Sequence, residues 1–248
     1  MKITLENLRE IIRSEVEQAS DDQHTEDMTT DDPDLTMYSE TLNGMIMDLM
    51  FKDDVIEQIN NFPPDTEAAT VLDSGELFVD YKTINEVHLG IIVNDSGYGV
   101  VKAYYLCVPE DRSKSNLVIE INIPRGYNDI PDVKEWLSVE LEDALSHELQ
   151  HSCDPTEMLT GDIPEGEEKW ESLENIYKHF GSEAETRGNV AGIVGRARRS
   201  GGDVFSILQD KMGEIFDEAI DRGFGEAELT PVIQKILEKW ETYLETVM

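Results

Sequence analysis

The spacing of apolar residues predicts one long amphipathic helix at residues 132–154. Its apolar stripe consists of four leucines that recur every fourth residue: Leu137, Leu141, Leu145 and Leu149. The roughly opposite face carries Glu140, Ala144, His147, Glu148 and His151. We therefore expect one side of this helix to pack against a sheet and the other side to face a cleft.

Between residues 68 and 124 the period of the pattern changes to that of strands. β-branched and aromatic runs predict four strands, at 77–81, 87–93, 100–108 and 117–123. Turn residues such as those at 94–97 separate these runs, and short connections of this kind imply an antiparallel meander.

Helical periodicity flanks the sheet on both sides. The further helices are predicted at 37–61, 167–180, from Ser182 onward, at 203–222 and at 229–246, the last with Thr230 and Pro231 in its cap and first turn. The predicted class is α+β. A small antiparallel or mixed sheet packs on the helix at 132–154, and a mainly helical part at 167–248 completes a domain spanning 37–248.

The first 36 residues are predicted to stand apart from that domain. A short amphipathic helix occupies residues 1–19, and an acidic, polar segment at 20–36 has the composition of a flexible linker. The helix is a candidate docking element. No signal-peptide apolar core follows Met1 and no apolar run reaches membrane-spanning length, so we expect neither signal-directed secretion nor a membrane partner.

The charge balance excludes one class of partner. Asp and Glu total 54 against 20 Lys and Arg, which gives a formal net charge of −34. Such a surface repels phosphate backbones, so no nucleic-acid partner is expected. The two cysteines, Cys107 and Cys153, do not form a disulfide framework and are typical of a reducing interior.

The candidate chemistry lies in the H-E-x-x-H sequence of the helix at 132–154. His147 and His151 are four residues apart, so they stand on one helix face and can offer two imidazole nitrogens to a single metal ion. Glu148 lies about a third of a turn from them and can reach a water on that metal without ligating it. This is the arrangement that a zinc hydrolase needs, so Zn²⁺ is the expected cofactor.

The motif in this helical setting resembles the zincin metallopeptidases, over roughly residues 77–195. The resemblance implies zinc-dependent cleavage of a peptide or protein substrate. It also implies that the strand next to the metal helix is a sheet edge that pairs with extended substrate, which makes 117–123 the candidate edge. An ordinary internal strand is the alternative for this segment.

A catalytic zinc site needs a third protein ligand. The metzincin pattern does not supply one, because Asp154 and Glu157 stand at its glycine and third-histidine positions. In the gluzincin pattern a later helix provides a glutamate, and the stretch 183–187 resembles that helix. The resemblance implies Glu183 as the ligand. Glu185 is the second candidate, and His179 or Asp154 is the third.

Other roles in the site also follow from the resemblance. Arg187 stands where gluzincins have an aspartate that orients a histidine ligand, so Asp154 or Glu140 is the candidate for that task. Glu148 is expected to act as general base and to pass its proton to the leaving amine. Tyr177 and His179 are the candidate donors to the oxyanion.

Two other hypotheses remain open. The opening of the chain, residues 1–13, resembles the starts of proteins encoded by large tailed bacteriophages. This resemblance implies a location in host cytoplasm or in the virion. The second hypothesis is therefore an assembly component that docks on phage structural proteins through its first helix. Its zincin-like domain would be structural or would act only once. The third hypothesis is an acidic DNA mimic that inhibits DNA-binding proteins.

Overall fold

The computed structural model describes residues 33–63, 66–72, 84–94, 99–108, 110–154 and 168–248. Within them the protein is an α+β structure, mostly helical with a small mixed sheet. The predicted helix within residues 1–19, most of the predicted linker and the predicted strand at 77–81 lie outside the described residues. None of the helices in the described part is long and apolar enough to cross a membrane.

The order of elements follows the predicted change from helix to strand and back to helix. The strands are β1 (Thr66–Leu72), β2 (Glu86–Asn94), β3 (Val100–Leu106) and β4 (Asn116–Pro124). The helices are α1 (Pro33–Met50), α2 (Asp53–Asn61), α3 (Val133–Cys153), α4 (Leu173–Phe180), α5 (Glu183–Ser200), α6 (Val204–Asp221) and α7 (Glu226–Val247).

The sheet has the order β1-β2-β4-β3, so the predicted meander is wrong. β4 inserts between β2 and β3 and runs parallel to β2 and antiparallel to β3, with Ile119 opposite both Leu89 and Ala103. The prediction that 117–123 is a sheet edge is also wrong, because β4 is internal. Its apolar face is completely buried, which suits an internal strand, whereas β3 alternates exposed and half-buried residues at the edge.

Two hydrophobic cores lie on either side of the contact between α3 and α5. The first core joins α1, α2, the sheet and α3, and the leucine stripe of α3 is fully buried there, as the sequence predicts. The second core is formed by α4 to α7, around Trp240, whose indole N–H donates to the Phe180 carbonyl at 2.8 Å. The candidate site lies where the two cores meet.

A buried carboxylate ties three helices together near this contact. Glu142 of α3 is fully buried and accepts hydrogen bonds from Ser39 at 2.6 Å and Asn43 at 2.9 Å, both in α1. Arg198 of α5 donates to the same group at 2.8 Å. Because each partner satisfies part of the carboxylate, the charge is tolerated in the interior and sets the position of α3 between α1 and α5.

Several helix boundaries differ from the predictions. The predicted helix at 37–61 begins four residues earlier and is interrupted after Met50, so that α1 and α2 are separate. The segment before α4 is not helical, since Ser172 caps that helix by accepting a hydrogen bond from the Asn175 amide. α7 begins after Gly225, which places Thr230 and Pro231 in its second turn instead of its first.

Candidate metal centre

His147 and His151 project from the same face of α3. Their Nε2 atoms are 3.0 Å apart, and the two rings meet edge to face with centroids 4.7 Å apart. Ligating atoms of His147, Glu148 and His151 all lie within 4.8 Å of one another. The helical spacing of the motif therefore produces a cluster of groups of the kind that binds metal ions.

Glu185 of α5 completes this cluster. Its Oε2 lies 3.6 Å from His147 Nε2, and its Oε1 lies 3.8 Å from His151 Nε2. Glu183, which the resemblance ranks first, is exposed at the start of the same helix. Side chains two residues apart on a helix differ in direction by about 200°, so Glu183 and Glu185 point to nearly opposite sides. The structure brings Glu185, the second-ranked candidate, to the two imidazoles.

The separations fit a zinc ion. Tetrahedral zinc with bonds of about 2.0–2.2 Å to nitrogen and oxygen places its ligand atoms roughly 3.3–3.5 Å apart. The two Nε2 atoms are 3.0 Å apart, Glu185 Oε2 lies 3.6 Å from His147 Nε2, and its other oxygen, Oε1, lies 3.8 Å from His151 Nε2. His147, His151 and Glu185 are therefore suited to hold the ion with small adjustments of side chains.

Small residues let α5 approach α3 closely enough to share this site. A Cβ atom at Gly188 would lie 3.0 Å from both His147 Nε2 and His151 Cε1. At Gly192 it would overlap a carboxylate oxygen of Asp143. The sequence-based expectation that small residues permit a close helix contact is confirmed at these positions.

Asp154 holds the second imidazole in place. This fully buried residue directly follows α3, and its Oδ2 lies 3.3 Å from His151 Nδ1. A hydrogen bond from Nδ1 directs the Nε2 lone pair toward the cluster. Arg187 of α5 lies 3.1 Å from the other oxygen and compensates the buried charge. The carboxylate beside the histidine thus comes from the residue that caps the end of α3, and an arginine occupies the corresponding place on α5.

The electrostatics of the two histidines differ. Burial, reinforced by the neighbouring His151 charge, lowers the pKa of His147 well below its ordinary value, so this ring is neutral and able to ligate. Burial also acts to lower the pKa of His151. The hydrogen bond to Asp154 and the carboxylates of Glu148 and Glu185 outweigh that effect and raise the pKa.

Glu148 is held beside the cluster by the edge strand. Its Oε2 accepts a hydrogen bond from the Tyr105 amide of β3 at 2.7 Å, and its Oε1 lies 3.9 Å from His147 Nε2. Burial raises the pKa of Glu148 to about 7. A carboxyl group with this pKa can both take up and release a proton near neutral pH. The contribution of the Tyr105 amide was not predicted, because it follows from the position of β3 in the sheet.

The cluster opens into a cleft of about 970 Å³. His179 lines this cleft, with its Nδ1 3.8 Å from Glu185 Oε1, and burial lowers its pKa. Tyr177, the other predicted oxyanion donor, is 39% exposed, and its ring packs beside Gly181. The structure therefore brings His179, and not Tyr177, to the wall of the cleft.

Sequence reasoning missed the cations of the cleft. Lys102 of β3 lines it, as do Lys169 from the segment before α4 and Lys211 and Arg222 from the α6 region. Nothing in the local pattern of these residues distinguishes them from surface lysines and arginines, because only the packing of the helices and the sheet brings them to the site.

No protein-family model, curated protein or solved structure matches this chain.

Proposed function

We propose that this protein is a zinc-dependent peptide hydrolase with a zincin-like arrangement of sheet, metal helix and glutamate helix. One observation carries the proposal: two imidazole Nε2 atoms and the Glu185 carboxylate converge to within 3.0–3.8 Å, with Glu148 beside them on the motif helix. This combination is the donor set of a catalytic zinc site with a neighbouring general base.

His147, His151 and Glu185 would hold the ion. When bound, zinc supplies a Lewis acid that makes water acidic near neutral pH and polarises a carbonyl group. The protein contributes a neutral His147, whose pKa burial lowers, and a His151 that Asp154 orients. The lowered pKa of His147 favours metal binding over protonation of that ring, whereas at His151, whose pKa is raised, the metal would have to displace a proton.

Glu148 would move the proton. Its carboxylate takes the proton of the attacking water and then gives it to the leaving amine, which its pKa of about 7 permits in both directions. The hydrogen bond from the Tyr105 amide keeps one oxygen fixed and leaves the other to face the reacting water. His179, on the wall of the cleft, would donate an N–H to the developing oxyanion.

The edge strand suits an extended peptide substrate. β3 occupies the outer edge of the described sheet beside α3, and Val101 to Tyr104 line the cleft. We propose that β3 takes the substrate-pairing role that the resemblance assigned to 117–123. Backbone groups along this edge would bind the peptide main chain, next to the general base.

The decisive experiment compares wild type with Glu148→Gln. The wild type should bind one zinc ion per chain and cleave unstructured peptides in a zinc-dependent manner. The variant should keep the zinc and lose activity by a factor of roughly 10²–10⁴, because only the proton transfer is removed. Undiminished cleavage by Glu148→Gln would refute the mechanism.

A matched pair of variants tests the third ligand. Glu185→Gln should lower zinc affinity by more than about 100-fold, since the loss of an orienting group alone costs about 10–100-fold. Glu183→Gln, two residues away and exposed, should bind zinc like the wild type. Competition titrations with a chelator measure both affinities, and the opposite ranking would reassign the ligand to Glu183.

A further inference from the structure

Two cations converge on one indole ring at the wall of the cleft. Lys169 Nζ lies 5.5 Å from the centroid of the Trp170 ring, and Arg222 Cζ lies 5.1 Å from the same centroid. Lys169 Nζ also lies 5.1 Å from the Phe180 ring. All four residues line the cleft that contains the metal centre. Ring faces thus hold the Lys169 ammonium in place there.

The two cations differ in their carboxylate partners. Arg222 pairs with Glu218 at 2.8 Å, and Lys211 on the same wall lies 3.4 Å from Asp143. No carboxylate of the described residues forms an ion pair with Lys169, although Glu185 and Glu218 attract it at longer range. Burial lowers the pKa of Lys169, and the charges of Arg222 and Lys211 act in the same direction. A substrate carboxylate would give the Lys169 ammonium a close ion pair, which no carboxylate of the described residues forms with it.

The position of Lys169 relates it to the metal centre. Glu185 Oε1 lies 3.8 Å from His179 Nδ1, and the His179 and Phe180 rings are 4.7 Å apart. Lys169 lies on the Phe180 ring. The distance from the Lys169 ammonium to Glu185 is therefore at most about the length of four residues of extended peptide, which span 3.3–3.6 Å each.

We propose that Lys169, supported by Arg222, binds a carboxylate of the substrate peptide within about four residues of the scissile bond. This inference rests on the proposed function, since it specifies which peptides that site accepts. A chain with a net charge of −34 repels anionic peptides in general. A substrate carboxylate can therefore bind only beside a local cation. The carboxylate belongs either to an acidic side chain or to the peptide carboxyl terminus.

The test measures peptide binding to the Glu148→Gln protein, which does not turn over its ligand. The probes are hexapeptides in which a single Glu or Gln occupies each position in turn, prepared with a free or an amidated carboxyl terminus. Calorimetric titrations are performed with zinc and after its removal. We expect at least one carboxylate peptide to bind about tenfold more tightly than its neutral counterpart, the effect of a charge-assisted hydrogen bond.

Three further variants in the same background identify the cation. Lys169→Ala should reduce the ratio of carboxylate to neutral affinity to about one, and Arg222→Gln should reduce it partially. Lys235→Ala removes an equal charge from an exposed position on α7 and should preserve the ratio. Thermal unfolding verifies that each variant is folded. If Lys169→Ala proves unfolded, a reduced ratio in Arg222→Gln still supports the assignment and an unchanged ratio overturns it.

The outcomes separate this inference from the proposed function. Equal binding of carboxylate and neutral peptides, absence of binding by all of them, or a preference that survives Lys169→Ala would overturn it. A preference that follows Glu identifies an acidic side chain, and one abolished by amidation identifies the carboxyl terminus. Peptide cleavage by wild type without a carboxylate preference contradicts only this inference. The preference without any cleavage supports the carboxylate site and contradicts the hydrolase.

Discussion

The close approach of α5 to the two histidines leads to a specific prediction for Gly188→Ala. The added methyl group would lie 3.0 Å from His147 Nε2 and from His151 Cε1, and 3.1 Å from His147 Cε1. Ordinary contacts of a Cβ atom are 3.4–4 Å. Both rings must therefore move by several tenths of an ångström, or α5 must retreat from α3.

The magnitudes separate the effect on metal binding from the effect on stability. Alanine gains about 1 kcal/mol over glycine in a helix, whereas overpacking costs about 1–3 kcal/mol, so the metal-free variant should be destabilised by at most about 2 kcal/mol. Metal–ligand distances tolerate only about 0.2 Å. We therefore expect zinc affinity to fall by at least about 10–100-fold, as it does when an orienting group is lost.

The assay combines chelator competition with urea unfolding of the metal-free protein. Gly213→Ala on α6 is the matched control, because a Cβ atom there has no neighbour within 4 Å. It should gain up to about 1 kcal/mol of stability and keep the zinc affinity of wild type. If Gly188→Ala also binds zinc like the wild type, the histidines do not ligate a metal in the described geometry.

Two further predictions concern other residues. Asp154→Asn should weaken zinc binding by about 10–100-fold, because the amide oxygen holds His151 Nδ1 less strongly than the carboxylate does, and unchanged affinity in a chelator titration would contradict this role. Tyr127 is fully buried, its hydroxyl donates to the Met50 carbonyl, and burial raises its pKa to about 12. An unfolded tyrosine ionises near pH 10, so this stabilisation is complete below about pH 10 and is lost as the pH rises toward 12, by about 2–3 kcal/mol in total. The unfolding free energy of wild type, measured with urea, should thus decline relative to Tyr127→Phe over this interval, and a pH-independent difference would contradict the explanation.

The motif helix is predictable because its pattern and its environment agree. Leu137, Leu141, Leu145 and Leu149 recur at the helical period over more than three turns, and all four are completely buried in the structure. A regular pattern of this length determines where the helix lies in the sequence and which of its faces is buried. The same helix places His147 and His151 on one face, so this half of the site follows from local geometry.

The sheet order is not predictable in the same way. The runs that become β2, β3 and β4 are recognisable as strands, but β4 pairs with both others, and the parallel pairing of β2 with β4 joins residues about thirty positions apart. Turn residues between consecutive runs favour the meander, whereas the fully buried face of β4 favours an internal place. The burial of β4 determines the order of the strands, and this burial depends on the packing of α1 and α3.

The third ligand depends on helix phase. Glu183 and Glu185 lie in the same stretch, and the resemblance to gluzincins aligns the first of them with the ligand. The Ser182 hydroxyl accepts a hydrogen bond from the Glu185 amide and thereby sets the start of α5. From that start, Glu185 faces α3 and Glu183 faces solvent. Sequence spacing indicates that a ligand is present in this stretch, but its identity follows from how α5 packs.

The division of the donor groups between the two cores has a consequence for unfolding. His147 and His151 belong to the helix that completes the sheet core, whereas Glu185 belongs to the helical core of α4 to α7. An ion held by all three would add a cross-link between the two cores at the contact between α3 and α5. Removal of the ion by a chelator would then weaken the contact between the two cores. The metal-free protein would unfold in two separate steps, whereas the zinc-bound protein unfolds in one.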